Sequence, residues 1–238
     1  MLFKAVVFDA YGTLFNVYAI QALAENTFQG QGAAIASLWR DKQIEYTRLI
    51  TQSDPHNPQG SQYYLPFREI TRRALEFSLK RLKLNYKISD MDLLMAQYDQ
   101  LTAFPENLAV LQKIKEAGLT TAILSNGSPD MLASAVDNAC MTECLDHVIS
   151  VDTVRLFKTA PESYRLVEKT LLSHGQPFNK NEVLFVSSNA WDIIGAGWFG
   201  FKTFWVNRQD LPFETIGAQP HYTGSNLNDV LTVLQPAN

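Results

Sequence analysis

Short apolar runs recur along the later part of the chain. Each is followed by a stretch whose apolar residues repeat every three or four positions. KAVVF at 4–8 predicts a first strand. Residues 106–117 carry Leu108, Leu111, Ile114 and Ala117 at helical spacing, and Gly118 stands where a glycine past the helix end belongs. TTAIL at 120–124 predicts the next strand. Ser128-Pro129 reads as an N-cap followed by proline in the first turn, and the helix it opens puts Leu132, Ala135, Val136 and Ala139 on one face. HVISV at 147–151 predicts a strand, and Pro161 opens a helix through Tyr164, Val167 and Leu171. VLFVS at 183–187 predicts a strand, 190–199 a short helix, and TFWV at 203–206 a further strand. Such alternation predicts a doubly wound, mostly parallel α/β sheet.

Residues 16–95 break that rhythm. They hold long helical patterns, such as Ala33–Ile50, with few strand signals, and TQSDPHNPQG at 51–60 reads as a loop between helices. The expected organisation is a Rossmann-like core of residues 1–15 and 96–238, with an all-helical cap, 16–95, inserted after the first strand. No internal repeat or low-complexity segment interrupts it.

Composition adds limits. The 238 residues are 46% hydrophobic and 18% charged with net charge −4, enough to bury a core without staples. No basic stripe points to nucleic acid, and no apolar run approaches the roughly 20 residues that span a membrane. No signal peptide is expected. Cys140 and Cys144 have a spacing that suits one helix face, but two cysteines make neither a disulfide framework nor a zinc site, so idle or buried thiols in a reducing cytoplasm are expected. His56, His147, His174 and His221 have no metal or triad spacing.

Ligands of open α/β sheets bind past the carboxyl ends of the strands, so the polar residues there are the candidates. Asp9 and Thr13 follow the first strand, Ser125 and Asn126 the second. Lys158 lies past the third. Ser187 closes the fourth, with Ser188, Asn189 and Asp192 after it. Singly, each has an ordinary use: Asp9 or Asp192 as a helix cap, Thr13 or Ser125-Asn126-Gly127 in a turn, Lys158 as a solvated surface lysine. Four strand ends supplying such groups together make a plausible site.

VVFDAYGTL at 6–14, ILSN at 123–126, FK at 157–158 and FVSSNAWD at 185–192 resemble, in order along the whole chain, the motifs of the haloacid dehalogenase superfamily. The chain is most similar to its L-2-haloacid dehalogenase branch. In phosphatase branches the second residue after the nucleophilic Asp is usually an Asp that serves as general acid, and Mg²⁺ neutralises the phosphate. Here it is Tyr11, with Ser188-Asn189 where part of an acidic metal cluster might be sought. A halide leaves as an anion without a proton, and an alkyl carbon presents no phosphate charge. An aromatic at 11 suits that chemistry as an apolar pocket wall.

The resemblance implies a hydrolase of short L-2-haloalkanoates, without metal or other cofactor. Asp9 would attack Cα opposite the halogen. Halide would leave toward Arg40, which matches the family's cap arginine, and toward Asn126. Water would then attack the Asp9 ester at its carboxyl carbon, releasing the inverted 2-hydroxy acid and halide. Thr13 would orient Asp9, Lys158 would stabilise negative charge, and Ser125 would hold the substrate carboxylate. Asp192, with Ser187 and Asn189, would orient or activate the water. Tyr164 matches a family tyrosine near the site, with core packing as its ordinary alternative; Tyr11, Ile44 and Trp191 are expected pocket walls. Two departures stand out. Asp41 replaces an amide common beside the cap arginine, so a carboxylate there either points away or alters substrate preference. Thr159-Ala160 separates Lys158 from Pro161, where a proline commonly follows directly. A homodimer through the cap is expected by the same likeness. The competing readings are a Mg²⁺-dependent small-molecule phosphatase of the superfamily and a non-catalytic binding protein that keeps the fold.

Overall fold

The computed structural model describes residues 2–54, 56–173, 175 and 179–234. The chain begins with β1 (Ala5–Phe8) and passes through α1 (Tyr18–Thr27), α2 (Gly32–Ser53), α3 (Phe67–Arg81) and α4 (Ile88–Ala96). It then alternates: α5 (Asn107–Glu116), β2 (Thr120–Ser125), α6 (Pro129–Asn138), β3 (His147–Ser150), α7 (Pro161–Ser173), β4 (Val183–Ser187), α8 (Ala190–Phe199) and β5 (Lys202–Val206). It closes with β6 (Tyr222–Gly224) and α9 (Val230–Leu234).

Among the described residues the strands form one six-stranded sheet, ordered β3-β2-β1-β4-β5-β6, with every neighbouring pair parallel. This is the doubly wound Rossmann order. The direction of winding reverses between β1 and β4, and that reversal opens a crevice at the carboxyl ends. Every residue of β1, β2 and β4 is buried, which is why these strands read as continuous apolar runs rather than as alternating ones. Register places Phe8 opposite Ile123 on one side and Val186 on the other. Asp9 therefore emerges level with the ends of β2 and β4, and its N–H still donates to the Val186 carbonyl, 2.9 Å.

The predicted core elements sit where the apolar patterns placed them, with ends moved by a residue or so. Gly118 has φ +77° past the end of α5, the left-handed conformation that a glycine adopts cheaply. Ser128 precedes α6 with Pro129 in the first turn, but its side chain makes no capping bond. α2 runs on to Ser53, three residues into the predicted loop. β6 and α9 were not anticipated: β6 is a three-residue edge strand, half-exposed and exposed, without an apolar run. Both cysteines are free thiols, but the shared helix face that their spacing suits is not formed. Cys140 is exposed at φ +54° after α6, whereas buried Cys144 ends the short 3₁₀ turn Thr142–Cys144, so they share no helix face. His174 lies outside the described residues.

The helical segment α1–α4 is tied to the sheet-bearing part at several points. Arg68 on α3 reaches Asp130 at the start of α6 at 2.8 Å, and the 3₁₀ turn residue Asp99 at 2.6 Å. The Tyr64 hydroxyl donates to Asp152, 2.6 Å, and the Phe157 N–H to Thr51 Oγ1, 3.0 Å. No helix among the described residues is long and apolar enough to cross a membrane.

The turn after Asp9 is held from below. Buried Asn107 donates from Nδ2 to the carbonyls of Leu14, 2.8 Å, and Thr13, 3.2 Å. Removing that amide leaves two buried acceptors with fewer donors. Asn107→Ala is expected to lower unfolding stability by about 1–3 kcal/mol, measured by urea denaturation, and to loosen the Asp9 turn.

Candidate active site

Asp9, 5% exposed, stands at the carboxyl end of β1. Its Oδ2 accepts from three donors: Thr13 Oγ1 at 3.0 Å, Asn189 Nδ2 at 2.7 Å and Ser187 Oγ at 3.2 Å. Its Oδ1 accepts from Lys158 Nζ at 2.9 Å. Gly12, at φ +86°, lets the chain turn sharply enough for Thr13 to fold back on the carboxylate. Thr13 Oγ1 is itself fixed by the Ser188 N–H, 2.8 Å, and Ser187 Oγ by the Asn189 N–H, 3.0 Å. The β4–α8 turn thus orients two of the donors that hold Asp9.

Lys158 arrives from the segment after β3 and is buried. Its ammonium donates to Asp9, to Asp192 Oδ2 at 2.6 Å and to the Leu124 carbonyl at 2.9 Å. Three donors meet three acceptors. Burial works against the charged amine, but Asp192 and Asp9 outweigh it and hold its pKa above the ordinary lysine value. Burial pushes the Asp192 carboxyl up to about 6, while Lys158 pulls it down. Tyr164 completes the chain, donating to Asp192 Oδ1 at 2.7 Å, and burial with the neighbouring Asp192 charge keeps this phenol neutral.

Above Asp9 lies a cavity of about 50 Å³ between the sheet ends and the helical segment. Arg40, Ile44 and Trp191 line it, as does Tyr11, and Ser125, Asn126 and Asn189 face it from the strand ends. Arg40 donates from Nη2 to Asn189 Oδ1, so one amide connects the guanidinium to the carboxylate. Tyr11 stacks on Phe67, centroids 6.0 Å apart, and burial raises its phenol pKa strongly. Gly127 makes room for this ring: a Cβ there would come within 2.8 Å of Tyr11 Cε2. Asn126 Oδ1 accepts the Lys158 N–H, 2.9 Å, and Ser125 Oγ accepts the Gly127 N–H, 3.0 Å.

Several expectations change here. Tyr164 does not line the cavity; it stands behind Asp192 and braces it. Asp192 is fully buried with both oxygens engaged. It reaches the cavity through Lys158 and Asp9 rather than as a base facing water. Asp41 is exposed and borders an outer groove, not the cavity, so its carboxylate points away. None of the described histidines lines the cavity, and among the described residues no three His, Cys, Asp or Glu side chains cluster to hold a metal ion. Reading the sequence missed Gln43, Thr47, Phe67 and Tyr98 in the lining. Gln43 and Thr47 had a signal: Arg40, Gln43, Ile44 and Thr47 recur at helical spacing on one face of α2. Phe67 and Tyr98 had none.

Fold and site define the class. The chain matches the haloacid dehalogenase-like hydrolase family over residues 3–200, and it belongs to that family. Within it, the chain is 36% identical over 234 residues to an (S)-2-haloacid dehalogenase of Pseudomonas sp. strain YL, covering 98% of this chain and 95% of that one. A crystallised L-2-haloacid dehalogenase superimposes with TM-score 0.91 at 46% identity, covering 98% of this chain and 99% of the other. The L-2-haloacid dehalogenase of Xanthobacter autotrophicus with chloropropionic acid covalently bound gives TM-score 0.85 at 36% identity, over 98% of each chain.

Lys158→Met strands two buried carboxylates without their cation, and a loss of about 3–5 kcal/mol is expected, read by urea unfolding. The native state keeps the Lys158 proton at pH values where the unfolded chain releases it. The pair's contribution is therefore complete below about pH 10.5 and falls as pH rises through and beyond that value. Unfolding midpoints of the wild type should drop in that range more steeply than those of the Met variant.

Proposed function

We propose that the protein is an (S)-2-haloacid dehalogenase acting on short L-2-haloalkanoates, with residues 16–95 as a cap over a core of 1–15 and 96–238. One observation carries the reading: a buried Asp9, gripped by three donors on one oxygen, faces a small cavity with an aromatic at position 11 and a guanidinium from α2 overhead. Relatives named (S)-2-haloacid dehalogenase support it.

Oδ2 is held by Thr13, Ser187 and Asn189, so Oδ1 keeps lone pairs for attack. It forms a bond to Cα of the substrate while the carbon–halogen bond breaks, and the halide leaves with the electron pair toward Arg40 and Asn126. Cα inverts. The Ser125 hydroxyl, accepting from the Gly127 N–H, has its own proton to offer the substrate carboxylate. The buried walls exclude water and strengthen each of these charge contacts. In the second step water adds to the Asp9 carboxyl carbon. The acyl–oxygen bond then breaks; one proton of that water ends on the alkoxide, giving the (R)-2-hydroxy acid, and the other leaves Asp9 for solvent, restoring its carboxylate. Lys158 balances the negative charge on the carboxyl oxygens, and Asp192, braced by Tyr164, keeps the ammonium in place. Nothing in this scheme needs a metal or an organic cofactor, and neither nucleic acid nor a membrane is a partner.

Chloride should be released from (S)-2-chloropropionate and not from its mirror image, with EDTA without effect. Asp9→Asn should lower turnover by at least about four orders of magnitude, as loss of a covalent nucleophile does. In a single turnover in heavy-oxygen water the label should enter Asp9 and not the product; label in the product alone means water attacks Cα directly. EDTA-sensitive hydrolysis of p-nitrophenyl phosphate would instead mark a phosphatase.

The reading extends to a cytoplasmic homodimer paired through the cap. Its support is a set of exposed apolar side chains there, Leu49, Phe77, Ile88 and Leu93. Light scattering should give twice the chain mass, and Leu49→Glu with Phe77→Glu should halve it.

A further inference from the structure

The cavity over Asp9 is not the only space beside Arg40. A groove of about 560 Å³ runs along α1 and α2 toward residues 205–214. Five side chains border both spaces: Arg40, Ile44, Tyr98, Asn189 and Trp191. Arg40 and Asn189 form the polar part of this wall and are bonded to each other. Ile44 and Tyr98 give it an apolar part. Tyr98 is 5% exposed and is held at its ring and at its hydroxyl. Its ring meets Tyr11 and Trp39 edge-on, with centroids 5.8 and 5.4 Å away. Its hydroxyl exchanges hydrogen bonds with the Gln43 amide, at 3.0 and 3.2 Å, and the same amide donates to Thr71 Oγ1 at 3.0 Å. A buried glutamine is stable only when its amide is satisfied. Here that satisfaction fixes the ring on the boundary between the small cavity and the larger groove.

We propose that Tyr98, positioned by Gln43, forms with Ile44 the partition that sets the upper chain length of the acid this site accepts. The proposal rests on the dehalogenase reading. A methyl on Cα stays within the cavity. A longer alkyl tail runs into Ile44 and Tyr98 before it reaches the groove. Opening the wall gives the tail apolar surface to bury, worth roughly fourfold in binding for each methylene.

The test compares kcat/KM for chloride release from (S)-2-chloropropionate and (S)-2-chlorohexanoate. The wild type should strongly prefer the shorter acid. In Ile44→Ala and in Tyr98→Leu the ratio of long to short should rise at least about tenfold, mainly through KM for the longer acid. Gln43→Leu should move the ratio the same way by less. A merely structural role for Gln43 would lower kcat for both acids equally and leave the ratio alone. The proposal is overturned if the wild type handles both acids alike, or if the ratio stays within about twofold in the folded variants. Should Tyr98→Leu not fold, the half-buried Ile44→Ala decides. Calorimetric titration with (R)-2-hydroxyhexanoate repeats the comparison without turnover. Tighter binding by the variants together with no chloride from any acid would leave the partition standing and overturn the dehalogenase reading. Unchanged binding with normal chloride release would do the reverse.

Discussion

A single buried ammonium holds two carboxylates, one just past β1 and one in the first turn of α8. Lys158 Nζ contacts Asp9 past β1, Asp192 past β4 and the Leu124 carbonyl within β2. Three adjacent strands are therefore linked at their carboxyl ends by one cation whose three protons are all used. Ions taken out of water at such a place are tolerable only as a matched set, because each alone costs several kcal/mol to desolvate. The carboxylate that is poised to react is buried and held in one orientation because of this set. Tyr164 and Thr13 matter to the site in the same way, as braces on its members rather than as parties to chemistry.

The sheet order explains why these groups converge. With β1 and β4 adjacent at the switch in winding direction, the loops leaving them diverge to opposite sides and leave a crevice between. The β4–α8 turn fills one side of it. Ser187, Ser188 and Asn189 there direct two side chains and one backbone N–H at Asp9 and Thr13. The other side is roofed by α2. Its inward face carries a cation, an amide, an aliphatic residue and a hydroxyl in successive turns. Arg40 and Asn189 meet across this gap, so the roof and floor of the cavity are joined by a charge-assisted hydrogen bond.

The walls answer a separate requirement, that an anionic acid and a departing halide both fit beside a carboxylate. Burial keeps the phenols of Tyr11 and Tyr98 neutral, with Tyr98 raised to about 12 despite the Gln43 bond. Neither adds negative charge. The positive charge of Arg40 is left facing an aromatic enclosure. The wall against the outer groove is thin, which is why two of its side chains can decide how long a substrate may be.

Apolar runs in β1, β2 and β4 were legible because strands buried on both faces need nearly every residue apolar. The polar residues that stop those runs were legible for the complementary reason: a carboxylate or amide at a strand end has no use in the core. The motif VVFDAYGTL carried the nucleophile and its neighbouring aromatic in one local stretch, and Arg40 could be located from its match in a known pattern. What stayed hidden depends on distances between segments far apart in sequence. Tyr98 joins the wall only because Gln43 lies 55 positions earlier on a helix that packs above it, and no local pattern encodes that pairing. The direction of Asp41, the withdrawal of Asp192 behind Lys158 and the edge strand β6 were likewise decided by packing. Whether a polar side chain faces a cavity, the core or water is set by what lies opposite it, and only the folded chain supplies that neighbour.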